Sequence, residues 1–310
     1  MSNWSELHDA GYAAAEEGDL EKAVEFLKKA VEAVESNGNK EELCQSVNCL
    51  AVVYQALGQE DDAKTMFEKT ISIKPETIEL PAAIEALADL YSYEDEEKAL
   101  ELYNDALKEY VRLGEHDAQL DAQNKVLTIL SFSEELEDGV LKERPLSKAE
   151  TENFKRQADI GKQLIALDKK AKVTSPEVVQ RIDSYVDAWQ DAEVENELDG
   201  MDAAKALGAL WAHELIESFN WTWVCLEGAG NLFVIVSEDR GLVINPVYFV
   251  KSCLDMPELD CTIMLAYNML QESQFDEIPA MSFENVMEGV HRVIPKPGRS
   301  LSMAAGRLPE

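Results

Sequence analysis

The 310-residue chain reads as an α-solenoid of helical hairpins followed by a small α+β domain with a short antiparallel sheet. Three observations predict this. Nearly the same phrase is written twice, GYAAAEEGDLEKA at 11–23 and AVVYQALGQEDDA at 51–63. Residues 176–218 keep a helical period of apolar positions, whereas NWTWVCLE, NLFVIVSE and GLVINPVYFV further on are β-rich runs split by GAG and EDRG. The length allows two cores, since a single core stops growing at roughly 250–300 residues.

The repeated phrase sets the first elements. In register, Ala10-Gly11 matches Leu50-Ala51 and Leu87-Ala88, and the position three further on holds Ala14, Tyr54 and Tyr91. The following helix then gives Ala23-x3-Leu27-x2-Ala30, Ala63-x3-Phe67-x2-Thr70 and Ala99-x3-Tyr103-x2-Ala106. Small residues at these offsets let two antiparallel helices cross closely, large ones fill the gap between neighbouring pairs, and Gly18 and Gly58 permit a tight turn. The pattern resembles the tetratricopeptide repeat over roughly residues 5–112, with Pro75 at the repeat's closing proline. Residues 1–115 are therefore expected to form three helix pairs. Trp4 stands off the family's Trp position, which falls on Leu7, and the third copy is one residue shorter and lacks the turn glycine. The spacing is long, with SNGNKEE extending the first connection.

Residues 116–175 read as a degenerate fourth pair or as capping helices. A helix over 117–133 is expected to precede a second over 147–170, which places Phe154, Ala158, Gly161 and Ile165 on one face. AKVTSP at 171–176 is the expected boundary, with no Gly/Ser linker, so the next helix is expected to pack on the last solenoid helix.

The α+β domain is expected over 176–295. Ser175 reads as a cap with Pro176 in the first turn, and Val178, Ile182, Tyr185, Val186 and Trp189 share a face. A helix over 203–218 leads into a three-stranded antiparallel meander, with Pro246 at an edge or bulge of the third strand, and helices follow near 258–273 and 282–292. Alternation puts Trp221 and Trp223 on one strand face, both inward. Residues 195–275 are similar to a family of small bacterial domains without assigned function, a resemblance that implies the fold and brings no catalytic residues. Residues 296–310 read as a flexible tail, where Lys296, Arg299 and Arg307 lie among Pro297 and Gly298.

Charge and composition narrow the function. A net charge of −33 repels phosphate, and no basic stripe offsets it, so no nucleic-acid partner is expected. No run approaches the roughly eighteen apolar residues of a membrane span, and MSNWSELHDA has neither a basic nor an apolar leader region. Five cysteines without CxxC spacing read as reduced thiols. A cytoplasmic protein without membrane partner is the expectation.

HELIE at 213–217 places His213 and Glu217 one turn apart, but a zinc-protease helix needs His at both positions, and no third ligand is evident. GAGN at 228–231 lies between strands and reads as a turn rather than a phosphate loop. No catalytic residue, metal or cofactor is expected. A deep cleft in the α+β domain holding His213 or a cysteine beside carboxylates would indicate an enzyme instead.

The tetratricopeptide resemblance implies a groove lined by the first helices of each pair. By register its inward positions are His8, Tyr12, Ala15 and Glu16, then Gln45, Asn48, Val52 and Gln55, then Glu85, Asp89, Ser92 and Tyr93. Members that clamp a terminal carboxylate use Lys and Asn, and here His8, Tyr12, Cys49, Ala82 and Ala86 replace them. The partner-binding set is thus His8, Tyr12, Gln45, Asn48, Val52, Gln55, Asp89 and Tyr93, suited to backbone hydrogen bonds and aromatic contacts. The expected function is a non-enzymatic scaffold or adaptor for a protein or peptide, and the acidity admits a basic one. The alternative is an acidic inhibitor or immunity-type protein covering a basic enzyme, because the acid excess runs through both halves.

Overall fold

A computed structural model describes residues 4–35, 39–132, 142–167, 172–194, 198–227, 231–256, 262–272, 278–285 and 287. SNG of the first connection, GAG at 228–230, Cys261, His291 and the tail at 296–310 lie outside the described residues. The chain divides into two compact units, Met1–Val126 and Leu127–Glu310.

The first unit is a run of antiparallel hairpins: α1 (Trp4–Glu16) with α2 (Leu20–Glu35), α3 (Lys40–Ala56) with α4 (Glu60–Ile73), and α5 (Glu79–Tyr91) with α6 (Glu96–Leu113), after which α7 (His116–Phe132) begins. The repeated small residues do what their register requires. Ala23, Ala63 and Ala99 have no exposed surface, and the large positions Leu27, Phe67 and Tyr103 are equally buried between pairs. Gly18 and Gly58 adopt φ of +80° and +70°, and each turn closes by a bond back to the first helix, Asp19 N–H to Ala14 O and Gln59 N–H to Tyr54 O, both 2.9 Å. The third hairpin has no glycine and turns differently. There Ser92 stays right-handed helical, the Asp95 N–H reaches Tyr91 O at 2.8 Å, and the Asp95 carboxylate caps α6 by accepting from the Lys98 N–H at 3.0 Å.

In the second unit, β1 (Glu143–Pro145), α8 (Lys148–Leu164), α9 (Ser175–Gln190) and α10 (Gly200–Phe219) precede β2 (Thr222–Leu226), β3 (Leu232–Val236), β4 (Leu242–Ile244), α11 (Pro246–Asp255), α12 (Ile263–Glu272) and β5 (Glu284–Asn285). The sheet runs β1-β2-β3-β4-β5, antiparallel throughout except for β4 with β5, which are parallel. Its core joins Val179, Ile182, Leu207, Leu210, Trp211 and Leu215 of the helices to Ile235 and Ile244 of the sheet. Trp221 is buried in this core and Trp223 packs against it.

Four sequence expectations are corrected here. The chain divides at 126/127 rather than at 171–176, because β1 and α8 build the second unit. Phe154, Ala158, Gly161 and Ile165 do share a face, but it meets the α+β core, with Gly161 against α10, instead of pairing into a fourth repeat. The third β-run is a three-residue strand, and Pro246 opens α11: Asn245 Oδ1 caps that helix by accepting from the Tyr248 N–H at 3.1 Å, and a proline at N1 loses no ladder bond. Where a helix was expected over 282–292, Glu284 and Asn285 extend the sheet. A smaller shift affects α9, whose cap is Thr174 rather than Ser175; Glu177 accepts from the Thr174 N–H at 2.8 Å.

Candidate functional site

The first helices stand side by side, with α1 against α3 and α3 against α5. Along them the expected binding positions fall into two groups. Tyr12, Val52 and Tyr93 are 55%, 50% and 97% exposed, Gln45 is exposed, and Gln55 is half-buried. Tyr12 and Val52, exposed on neighbouring first helices, are open to contact from outside the chain.

His8 and Asp89, by contrast, are committed internally. Trp4 stacks on His8 at 5.3 Å and donates its Nε1–H to Ser46 Oγ at 2.8 Å, while the His8 Nδ1 lies 3.2 Å from the same hydroxyl. Burial lowers the His8 pKa against an opposing pull from Asp9, which favours the neutral ring. The pair pins α1 to α3 through a buried serine. Asn48 Oδ1 is buried and has no hydrogen-bond partner among the described residues.

Asp89 belongs to a knot that sequence reasoning did not find. Lys125 on α7 donates to Asp89 Oδ2 at 2.8 Å and to Glu85 Oε1 at 2.6 Å, Tyr110 donates to Glu85 Oε2 at 2.6 Å, and Tyr103 donates to Asp89. Burial works to lower the Lys125 pKa, but Asp89 and Glu85 together outweigh it and hold the ammonium above its usual value. Burial, then the adjoining carboxylates, pushes both tyrosines well above the ordinary phenol range. The third pair therefore satisfies its own acids. The available signal was Lys125 itself, the lone cation in the apolar stretch DAQNKVLTIL.

The second unit has a separate concavity, a cleft of about 370 Å³ between α8 and α10. Leu146, Phe154, Ala158, Ala209, Ile216 and Trp223 make its apolar wall, and Thr151, Lys155, Asp159, Lys162 and His213 its polar part. Phe154 stacks on Trp223 at 4.2 Å, which fixes α8 on the sheet. So His213 does line a cleft beside a carboxylate. Its imidazole has no hydrogen-bond or ion-pair partner among the described residues, whereas a general base is normally oriented by a third group. Among the described residues no group of three or more His, Cys, Asp or Glu could hold a metal ion. Cys44, Cys225 and Cys253 are buried free thiols and Cys49 is half-buried; burial pushes the Cys44 thiol up to about 12, with Glu79 adding to it, which keeps it inert.

Comparison with known proteins agrees with the hairpins. The tetratricopeptide repeat model matches residues 7–37 and 49–77, the span of the first two hairpins. Repeats of this kind suggest a protein–protein interaction scaffold. No curated protein matches the chain. Among solved structures it is similar to BtubC (BKLC) from P. vanneervenii, at 15% identity over 96% of this chain and 85% of that one, with a TM-score of 0.33.

Proposed function

We propose that the protein is a non-enzymatic cytoplasmic adaptor whose tetratricopeptide groove seats a protein or peptide segment on the first two repeats. The observation that carries this is the exposure of Tyr12 and Val52 at register positions on adjacent first helices, with Gln45 and Gln55 beside them. Rigid aromatic and aliphatic contacts supply burial, and the two amides supply donors and acceptors to an extended or helical backbone. Asp89 contributes through the shape of the third pair rather than by contact, since Lys125 and Tyr103 occupy it. The free thiols support a reducing compartment, and no described helix is long and apolar enough to cross a membrane.

A photo-crosslinking residue placed at position 12, 52 or 111 tests the reading. Val111 is also 55% exposed but lies on a second helix. Positions 12 and 52 are expected to capture one defined protein that position 111 does not, and purified partner is expected to lose binding to the Tyr12→Ala, Val52→Asp variant. Equal capture from all three positions, or none from 12 and 52, refutes the groove. The acidic-inhibitor reading rests on the charge of −33 and predicts an on-rate that falls steeply with salt, which an amide and aromatic groove does not.

A further inference from the structure

The cleft between α8 and α10 escapes the acid excess of the chain. Over the whole sequence 28 Lys and Arg stand against 61 Asp and Glu. Two lysines and a histidine, Lys155, Lys162 and His213, line this mouth with one acid, Asp159, and a second acid, Glu152, stands beside it on Lys155. The existing ion pairs there are weak holders of those lysines. Lys162 meets Asp159 at 3.2 Å with side chains 33% and 61% exposed, and Lys155 meets Glu152 at 3.2 Å with 65% and 73%. Solvated pairs one helical turn apart are weak, so an incoming anion displaces the carboxylates at little cost.

Behind the cations the wall is apolar, and its volume of about 370 Å³ falls within the roughly 300–1,000 Å³ typical of small-molecule sites. We propose that this cleft binds an amphipathic organic anion, its apolar body of one or two rings or a short acyl chain lying against Phe154, Ile216 and Trp223, and its carboxylate or phosphate head meeting Lys155, Lys162 and His213. The lysines give charge-assisted bonds and the unpartnered imidazole adds a donor. The acidic field of the surrounding chain disfavours polyanions, so the head carries few charges. Cations are refused at the mouth because Lys155 and Lys162 face them.

Calorimetry on the full chain with four naphthalene probes of one shape tests this: 1-naphthoate, 1-naphthyl phosphate, 1-naphthalenemethanol and 1-naphthylmethylamine. One or both anions are expected to bind at one site per chain, with the tighter of the two identifying the head as carboxylate or phosphate. The alcohol is expected to bind at least about tenfold more weakly and the amine more weakly still. Lys155→Gln, Lys162→Gln together are expected to lower anion affinity by about tenfold or more at an unchanged unfolding midpoint, since both side chains sit at the mouth rather than in the core. Equal affinity for alcohol and anion, an unaffected double variant, or no anion binding at about millimolar concentration overturns the proposal. The Tyr12→Ala, Val52→Asp chain should bind the anion as wild type does, which keeps this site's fate separate from that of the groove.

Discussion

Gly161→Ala should destabilise the second unit although it adds a better helix former. A Cβ at this position would lie 2.5 Å from the Ala206 carbonyl oxygen, 3.1 Å from its carbon and 3.0 Å from Leu210 Cβ. The oxygen belongs to helix backbone and cannot swing aside. Reaching an ordinary 3.4 Å contact needs 3.4 − 2.5, about 0.9 Å, of withdrawal of α8 from α10. That movement loosens Phe154, Ala158 and Ile165 against the core, and it belongs at the upper end of the roughly 1–3 kcal/mol that overpacking costs. Helix propensity returns about 1 kcal/mol, leaving a net loss of about 1–2 kcal/mol. Four of the five tryptophans, Trp189, Trp211, Trp221 and Trp223, lie in this unit, so tryptophan fluorescence during urea unfolding reports it directly. With a slope of about 2 kcal/mol per M, the midpoint should fall by about 0.5–1 M. Gly200→Ala is the control: the nearest atom to its Cβ is at 3.9 Å, so it should be neutral or slightly stabilising. A Gly161→Ala midpoint equal to or above wild type would refute the close crossing.

Three further outcomes are expected. Thr70 has no exposed surface and its hydroxyl has no partner among the described residues, while Ala30 and Ala106 fill the same register position; Thr70→Val should therefore stabilise the first unit by about 1 kcal/mol, seen as a higher melting temperature. Lys125→Met strips the cation from Glu85 and Asp89 and should cost about 1–2 kcal/mol, a figure already reduced because the lysine is 40% exposed; since the lysine pKa is raised in the fold, its contribution is full below about pH 10 and is lost only as pH climbs through the higher folded value, so the deficit should be constant from pH 6 to 9. Glu150 is held down at about 2, first by the Arg144 guanidinium and then by Ser147. Its contribution is present above the unfolded value of about 4.3 and drains away as pH falls toward about 2, so Glu150→Gln should flatten the melting-temperature profile between those limits.

How far the sequence discloses this structure depends on whether a residue's role is local. Ala23, Ala63 and Ala99 recur because each hairpin makes the same crossing, so their burial is legible from spacing alone. Residues 142–147 are opaque for the opposite reason. Nothing in KERPLS marks a strand, and β1 exists because a distant partner stabilises it: β1 pairs with Val224–Leu226, and Arg144, opposite Cys225, donates to Glu227 at 2.9 Å and forks onto Glu150 at 2.8 Å through both terminal nitrogens. One local clue was present, the capping box of Ser147 and Glu150, which dates the start of α8 to within a residue. Pro246 shows the same limit from another side. Hydrophobic GLVINPVYFV fits a buried strand by composition, and only the Asn-Pro pair, a cap followed by a first-turn proline, separates strand from helix.

Register also named the groove residues without saying which of them remain available. His8 and Asp89 have the right spacing, yet each finds a partner that spacing cannot show, Ser46 on the next first helix for one and Lys125 on α7 for the other. The cost of leaving a carboxylate unpaired in a crowded helical layer is what drives the second commitment: Glu85, only 13% exposed, and Asp89 stand one turn apart on α5, and a single ammonium between them removes their repulsion. Closing the third pair in this way takes Asp89 out of the groove; the exposed apolar contacts within the first helices are then on α1 and α3, the segments that also carry the clearest repeat signature, while Tyr93 stands exposed in the turn after α5. On the proposed reading, then, recognition is concentrated at Tyr12, Gln45 and Val52, and the third repeat serves as the rigid end wall. Its rigidity has a direct consequence for the Lys125→Met chain: loosening the wall should lower partner affinity without touching any contact residue, by a smaller factor than Val52→Asp, whereas an equal or larger loss would mean that Glu85 and Asp89 meet the partner themselves.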